Sequence, residues 1–257
     1  LRDIPTEAHL GDVSLNQKIT QMVFTLYGTP PHGNGKPFMT APTTCGQKTA
    51  TLRAVSYKGT AVSAETPAFP ITGCDKLPFD PTLSVTPGTM PAGLPVAQDV
   101  VSGVSFPAPD NGLAQAHLKK AVFTMPVGCA VSAGMAADGL DGCTDAQFEI
   151  TKPTKAKCPA LSNIGSVVFD SPLVGPVKGS LYLATPTADV PLRLFIYAEA
   201  GKVKIKVLGK TLLDAKTGQV TLLFDDTFET PYTLFGLTFR GGPTGMLNVS
   251  FIEDATL

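Results

Sequence analysis

The sequence predicts an all-β protein, built as two β-sandwich modules of Ig-like type. Three observations carry that expectation. Glycine (25) and proline (23) are frequent and spread along all 257 residues, which leaves few uninterrupted stretches for long helices. Between these breakers the apolar residues recur with a period of two. In the clearest run, Val203, Ile205 and Val207 alternate with Lys202, Lys204 and Lys206, as a strand with one face on a core and one in water requires. The same short runs are rich in β-branched residues, which suit a pleated, half-buried surface. A hydrophobic share of 43% is enough to build real cores and argues against wholesale disorder.

The elements follow in order. Ile19–Tyr27 reads as a strand, followed by a loop of breakers from Gly28 to Gly35. Ala50–Tyr57 and Ala61–Ile71 form a hairpin about Lys58-Gly59. Pro78 and Pro81 mark a linker. The boundary is placed there, giving a small β module over residues 1–80 and a larger sandwich over 81–257. The larger module opens with Leu83-Ser84-Val85, then a Pro/Gly loop over 87–95, then strands at Val100–Phe106 and Leu118–Met125. Thr144-Asp145-Ala146-Gln147 is a capping box, in which hydroxyl and amide each satisfy an orphan backbone N–H, and it predicts a short helix through Phe148. Cys158-Pro159-Ala160-Leu161-Ser162 reads as a second helical turn with proline at its first position. Strands resume at Ser166–Phe169, Val177–Leu183 and Leu192–Tyr197. Three antiparallel strands then fill 201–240, turning at Asp214–Gly218 and near Pro231.

Charge and length exclude several partners. The net charge is -1, so there is no basic footprint for nucleic acid. The lysines at 202, 204 and 206 read as the solvated face of a strand. No run of 18 apolar residues exists to span a bilayer as a helix. Leu1-Arg2-Asp3 looks like a cut or matured end.

The five cysteines (45, 74, 129, 143 and 158) form no CxxC pair, and the three histidines lie far from metal-ligand spacing. Cys45 and Cys74 sit at element ends, and Cys143 and Cys158 flank a short segment. The pairing Cys45–Cys74 and Cys143–Cys158 leaves Cys129 as a free thiol. The alternative is five free buried thiols in a cytosolic protein, which a thiol titration under denaturing, non-reducing conditions distinguishes.

An internal echo links the strand, Gly-Thr-Pro-Pro loop and apolar return of 19–45 to Leu237–Arg240, Gly241-Gly242-Pro243 and Met246-Leu247. Such an echo is expected of a chain cut from a tandem array, so that 1–80 would hold the end of a preceding repeat plus a junction module. From His117 the wording becomes specific: His117-Leu118-Lys119-Lys120, Ala137-Asp138-Gly139-Leu140-Asp141-Gly142-Cys143, Cys158-Pro159-Ala160-Leu161-Ser162, Gly179-Ser180-Leu181-Tyr182 and Leu213-Asp214-Ala215-Lys216-Thr217-Gly218. With Thr72-Gly73-Cys74-Asp75-Lys76, these motifs resemble a family of large, secreted, tandem-repeat cell-envelope proteins common in actinobacteria. The resemblance implies an exported β-repeat protein at the cell surface, with neighbouring repeats or like chains as partners. It implies no catalytic residue. Cys129 departs from the family's pattern, in keeping with an unpaired thiol.

Constellations for chemistry are sparse. Gly209-Lys210-Thr211 lacks the upstream glycine of a phosphate loop, because position 204 is lysine. Gly103-Val104-Ser105-Phe106-Pro107 fails the nucleophile-elbow pattern at its last position. His117 and His32 read as structural or merely exposed, and Cys129 has neither a base nor a cation beside it in sequence. Asp138, Asp141 and Asp145, with Gly139 and Gly142 between them, are the candidate ligands for a Ca²⁺ ion. Their other reading is two turns and a helix N-terminus. Asp225, Asp226 and Glu229 offer a glycosidase-like acid pair, but acids clustered at a strand end more often mark a solvated turn. The reading is therefore non-enzymatic, with no cofactor beyond that Ca²⁺: an exported structural or interaction module of a longer surface or fibre-forming chain. The alternatives are a carbohydrate- or peptide-binding module at the cell wall, which needs a concave, partly apolar site near the Pro/Gly loops, and an accessory domain of a secreted hydrolase.

Overall fold

The computed structural model describes residues 8–10, 13–15, 23, 25–26, 28, 39–87, 99–107, 114–125, 127, 129–131, 141–225, 227, 229–242 and 245–249. The chain forms two compact units, 1–39 and 40–257. In the first, β1 (Ala8–Leu10) and β2 (Val13–Leu15) pair antiparallel, Ala8 opposite Leu15. The strand expected over 19–27 lies largely outside the described residues. Val23, Thr25 and Leu26, which are described, are exposed and in no strand.

The second unit begins with a long hairpin arm. β3 (Gly46–Lys48) pairs with β6 (Phe69–Ile71), and β4 (Thr51–Val55) with β5 (Ala61–Glu65). The tip turns at Gly59 with φ 83°, a left-handed conformation that suits glycine. Cross-strand register sorts the β4–β5 side chains. Leu52 faces Ala64 and Ala54 faces Val62, so one face of this ribbon is wholly apolar. Thr51, Arg53, Ser63 and Glu65 lie on the other. Every residue from Ala50 to Pro70 is exposed.

The rest is organised by one antiparallel sheet of nine strands. They are β7 (Thr82–Pro87), β8 (Val100–Ser105), β9 (Ala121–Thr124), β11 (Asn163–Asp170), β12 (Val177–Ala184), β13 (Arg193–Ala200), β14 (Val203–Leu213), β15 (Val220–Phe224) and β16 (Leu234–Phe239). Their order is β7-β8-β16-β11-β12-β13-β14-β15-β9. A separate pair joins β10 (Cys129–Val131) to β17 (Leu247–Val249).

The sheet curls onto itself, and β14 is where it turns. Val203–Lys210 pair with β13, whereas Lys210–Leu213 pair with β15 on the opposite edge. This offset carries β15 and β9 over the sheet's inner face. Phe123 of β9 and Phe224 of β15 meet Phe235 of β16 at ring-centroid distances of 6.1 and 5.7 Å, although these strands are far apart in the sheet order. At the corner, Gly209 lies under Phe224, and a Cβ there would sit 2.6 Å from that ring. Val220, Leu222, Leu181, Leu194, Ile196, Leu237 and Phe239 complete the core.

The outer face of β12–β14 is covered as well. There α1 (Asp145–Phe148) lays Phe148 on Phe195, stacked at 4.1 Å, within a second cluster that includes Cys143, Ala184 and Tyr197. Covered on both faces, β13 buries six residues in succession, Arg193–Ala198. Both bonds of the predicted capping box form between Thr144 and Gln147, and the second helical turn is a short 3-10 segment at Ala160–Ser162. The expectation of a nearly all-β chain with short helical insertions therefore holds. At the finer level, the described strands of 82–239 other than β10 form one curled sheet, and the 46–71 segment is a ribbon with no second sheet stacked on it among the described residues.

The lysine stripe is only partly a solvated face. Lys202 is exposed. Lys204 pairs with Glu199, and the Lys206 ammonium donates to the carbonyls of Phe148 (2.6 Å) and Glu149 (3.0 Å). A strand cation thus satisfies the free carbonyls at the C-terminal end of α1, where the helix dipole favours positive charge. Burial holds its pKa below the ordinary lysine value, with Glu149 opposing.

Candidate functional site

The two ends of the hairpin arm converge on one short wall of the curled sheet, residues 114–118, just before β9. At the arm's start, the Glu229 carboxylate accepts the backbone N–H of Thr43 (2.6 Å) and Thr44 (3.0 Å) and both threonine hydroxyls. The His117 N–H donates to Thr43 Oγ1 at 3.0 Å. At the arm's exit, the Ala116 N–H donates to the Pro78 carbonyl (2.8 Å), and the Asp80 N–H to Gln115 Oε1 (3.0 Å). Phe79 lies against Phe106, 6.2 Å between ring centroids. Cys45 and Cys74 close the arm's base with a disulfide, their Cα atoms 5.7 Å apart.

His117 sits in the middle of this junction. Its side chain is only 5% exposed, and Nδ1 lies 4.0 Å from Glu229 Oε1, too far for a hydrogen bond. Burial pushes the imidazole pKa below its ordinary value, and the neighbouring carboxylate only partly offsets this, so the ring is neutral at pH 7. For Glu229, desolvation acts upward, but the two N–H and two hydroxyl bonds outweigh it and hold the carboxyl below the usual range.

Two hollows adjoin His117. One, of about 200 Å³, is bordered by Thr43, Lys119, Thr227 and Glu229. The other, of about 240 Å³, is bordered by Phe106, Pro107, Pro172, Pro231 and Tyr232. It lies at one end of the curled sheet, where β8 and β11 finish and β9 and β16 begin. Burial raises the Tyr232 phenol well above its ordinary pKa, so it stays protonated. The His117–Glu229 pair supplies a base beside a carboxylate. Around it the described hydroxyls are bound: Thr43 and Thr44 to Glu229, and Thr227 Oγ1 to the Leu118 carbonyl.

The residues singled out in the sequence fall in several places. Cys143 and Cys158 are bonded, Cα atoms 5.0 Å apart, and tie the α1 loop to the outer face of the sheet. Cys129 lies on β10 opposite Val249. Asp145 makes a two-pronged pair with Arg193 (2.7 and 3.1 Å), whose guanidinium also donates to the Thr185 carbonyl. That hydrogen bond holds the Asp145 carboxyl below its usual pKa, against a small opposing effect of burial. Asp141 accepts the N–H of Gly142. Asp138 lies outside the described residues, and among those described no three acidic, histidine or cysteine side chains converge as a metal site would require. Asp225 pairs with Lys120 at 3.1 Å; Asp226 lies outside the described residues.

The sequence shows His117 and Glu229 singly but not their junction, because the two lie far apart in the chain. Among the described residues no helix is long and apolar enough to cross a membrane. No family model, no curated protein and no solved structure matches the chain, so its role is inferred from its own residues.

Proposed function

We propose that the chain is a non-enzymatic, exported structural and interaction module of a longer cell-surface protein, and that the hairpin arm is its contact element. The carrying observation is the exposed apolar face of Leu52, Ala54, Val62 and Ala64, set on a ribbon clamped at its base by Cys45–Cys74. A two-stranded ribbon gains little stability alone in water, and an apolar face on it is best satisfied by another surface. A neighbouring repeat or a like chain is the natural partner for a tandem array. Disulfides persist in oxidising compartments, which supports an extracellular setting.

Sedimentation velocity tests this reading. Wild-type chain should self-associate as concentration rises, and Leu52→Lys with Val62→Lys should stay monomeric. Wild-type protein that is monomeric at every concentration removes the like-chain form of the proposal. A second reading, a ligand-binding module, is favoured by the concave, largely apolar hollow beside His117.

A further inference from the structure

We infer that the hollow bounded by Phe106, Pro107, His117, Pro172, Pro231 and Tyr232 binds a neutral, single-ring apolar group, and that filling it tightens the hold of residues 114–118 on both ends of the hairpin arm. The inference builds on the second reading above and is independent of what the arm touches.

Size comes first. At about 240 Å³ the space exceeds the ~150 Å³ of apolar cavities that stay dry and take up benzene. It falls short of the roughly 300–1,000 Å³ usual for drug-sized ligands. One ring with a small substituent fits.

Chemistry comes second. No bordering residue carries a charge at neutral pH, since burial keeps His117 neutral. The Gln115 amide is already committed, with Oε1 accepting from Asp80 and Nε2 donating to the Pro107 carbonyl at 3.0 Å. A charged ligand would lose its hydration without gaining a counter-ion, so the site selects against it. Three prolines fix the local backbone, and Phe106 and Tyr232 are held at 4% and 9% exposure. The hollow is thus largely formed before a ligand arrives, which lowers the ordering cost of binding.

Coupling comes third. The wall that borders the hollow carries the N–H groups of Ala116 and His117, which hold Pro78 and Thr43. A ligand that binds only the formed hollow stabilises that wall and, by linkage, the two bonds on its far side.

Two-dimensional ¹H–¹⁵N NMR with toluene and with benzoate tests the inference. Toluene should shift the amides of residues 114–118. At about ten times its Kd it should slow exchange of the Ala116 and His117 amides about ten-fold, insofar as exchange requires the hollow to open. Benzoate, a ring of similar size with a charge, should leave both unchanged. Ala114→Trp, at an exposed position on the rim, should abolish the toluene response. The wild-type spectra decide the matter even if that variant folds poorly. The inference is overturned if toluene leaves 114–118 unperturbed, if benzoate acts as strongly, or if the response survives in folded Ala114→Trp. Because these spectra are read on dilute monomer, their outcome is separate from the sedimentation result.

Discussion

Gly209→Ala probes the corner on which the curled sheet depends. The added methyl would lie 2.6 Å from Cε1 and 3.1 Å from Cδ1 of Phe224, a ring with no exposed surface. That ring cannot swing outward, because it also packs edge-on against Phe123 and Phe235 at 6.1 and 5.7 Å. Forcing a methyl into a filled core costs about 1–3 kcal/mol, so the urea midpoint should fall at constant slope. Shortening the ring relieves the clash. Phe224→Leu alone should destabilise, and the double variant should be more stable than the sum of the two losses by at least about 1 kcal/mol, within the range seen for residues in contact. A neutral Gly209→Ala, or losses that add within about 0.5 kcal/mol, would refute the proposed packing of β15 on β14.

Three other outcomes follow from the same structure. Replacing Cys143 and Cys158 together by serine should lower stability by about 3 kcal/mol, as the chain-entropy model gives for a loop of this length; an unchanged urea midpoint would contradict it. Arg193→Lys cannot keep both the two-pronged bond to Asp145 and the bond to Thr185, so it should cost about 1–2 kcal/mol in the same assay. His117 has a folded-state pKa below its ordinary 6.5, so its stabilising contribution is fully present above that value and is lost as pH falls through the folded pKa. Melting temperature should therefore decline below about pH 6.5, and His117→Gln should flatten that decline; identical pH profiles would count against a buried neutral imidazole.

Local patterning made most strands legible. Val220, Leu222 and Phe224, like Phe235, Leu237 and Phe239, alternate with half-buried neighbours as their spacing foretold. The capping box at Thr144 was readable because both partners lie within one turn. What could not be read depends on distant pairing. Leu192–Tyr197 was readable as a strand but its burial on both faces was not, since such burial erases the alternation that marks a single buried face. Lys206 looked solvated because the carbonyls it holds lie nearly sixty residues earlier. The His117–Glu229 junction exists only once β9 has paired with β15, which sets the segment before β9 beside the loop after β15. Two separate sandwiches were expected because alternation reports that a face is buried, and not which surface buries it.

Amide hydrogen exchange across β4 and β5, followed as protein concentration rises, tests the contact role of the arm most directly. A free two-stranded ribbon opens readily, so the amides from Leu52 to Val62 should exchange fast in dilute protein. They should become strongly protected at high concentration, while the nine-stranded sheet stays protected throughout. Equally fast exchange of these amides at every concentration would contradict an arm that packs on a neighbouring copy.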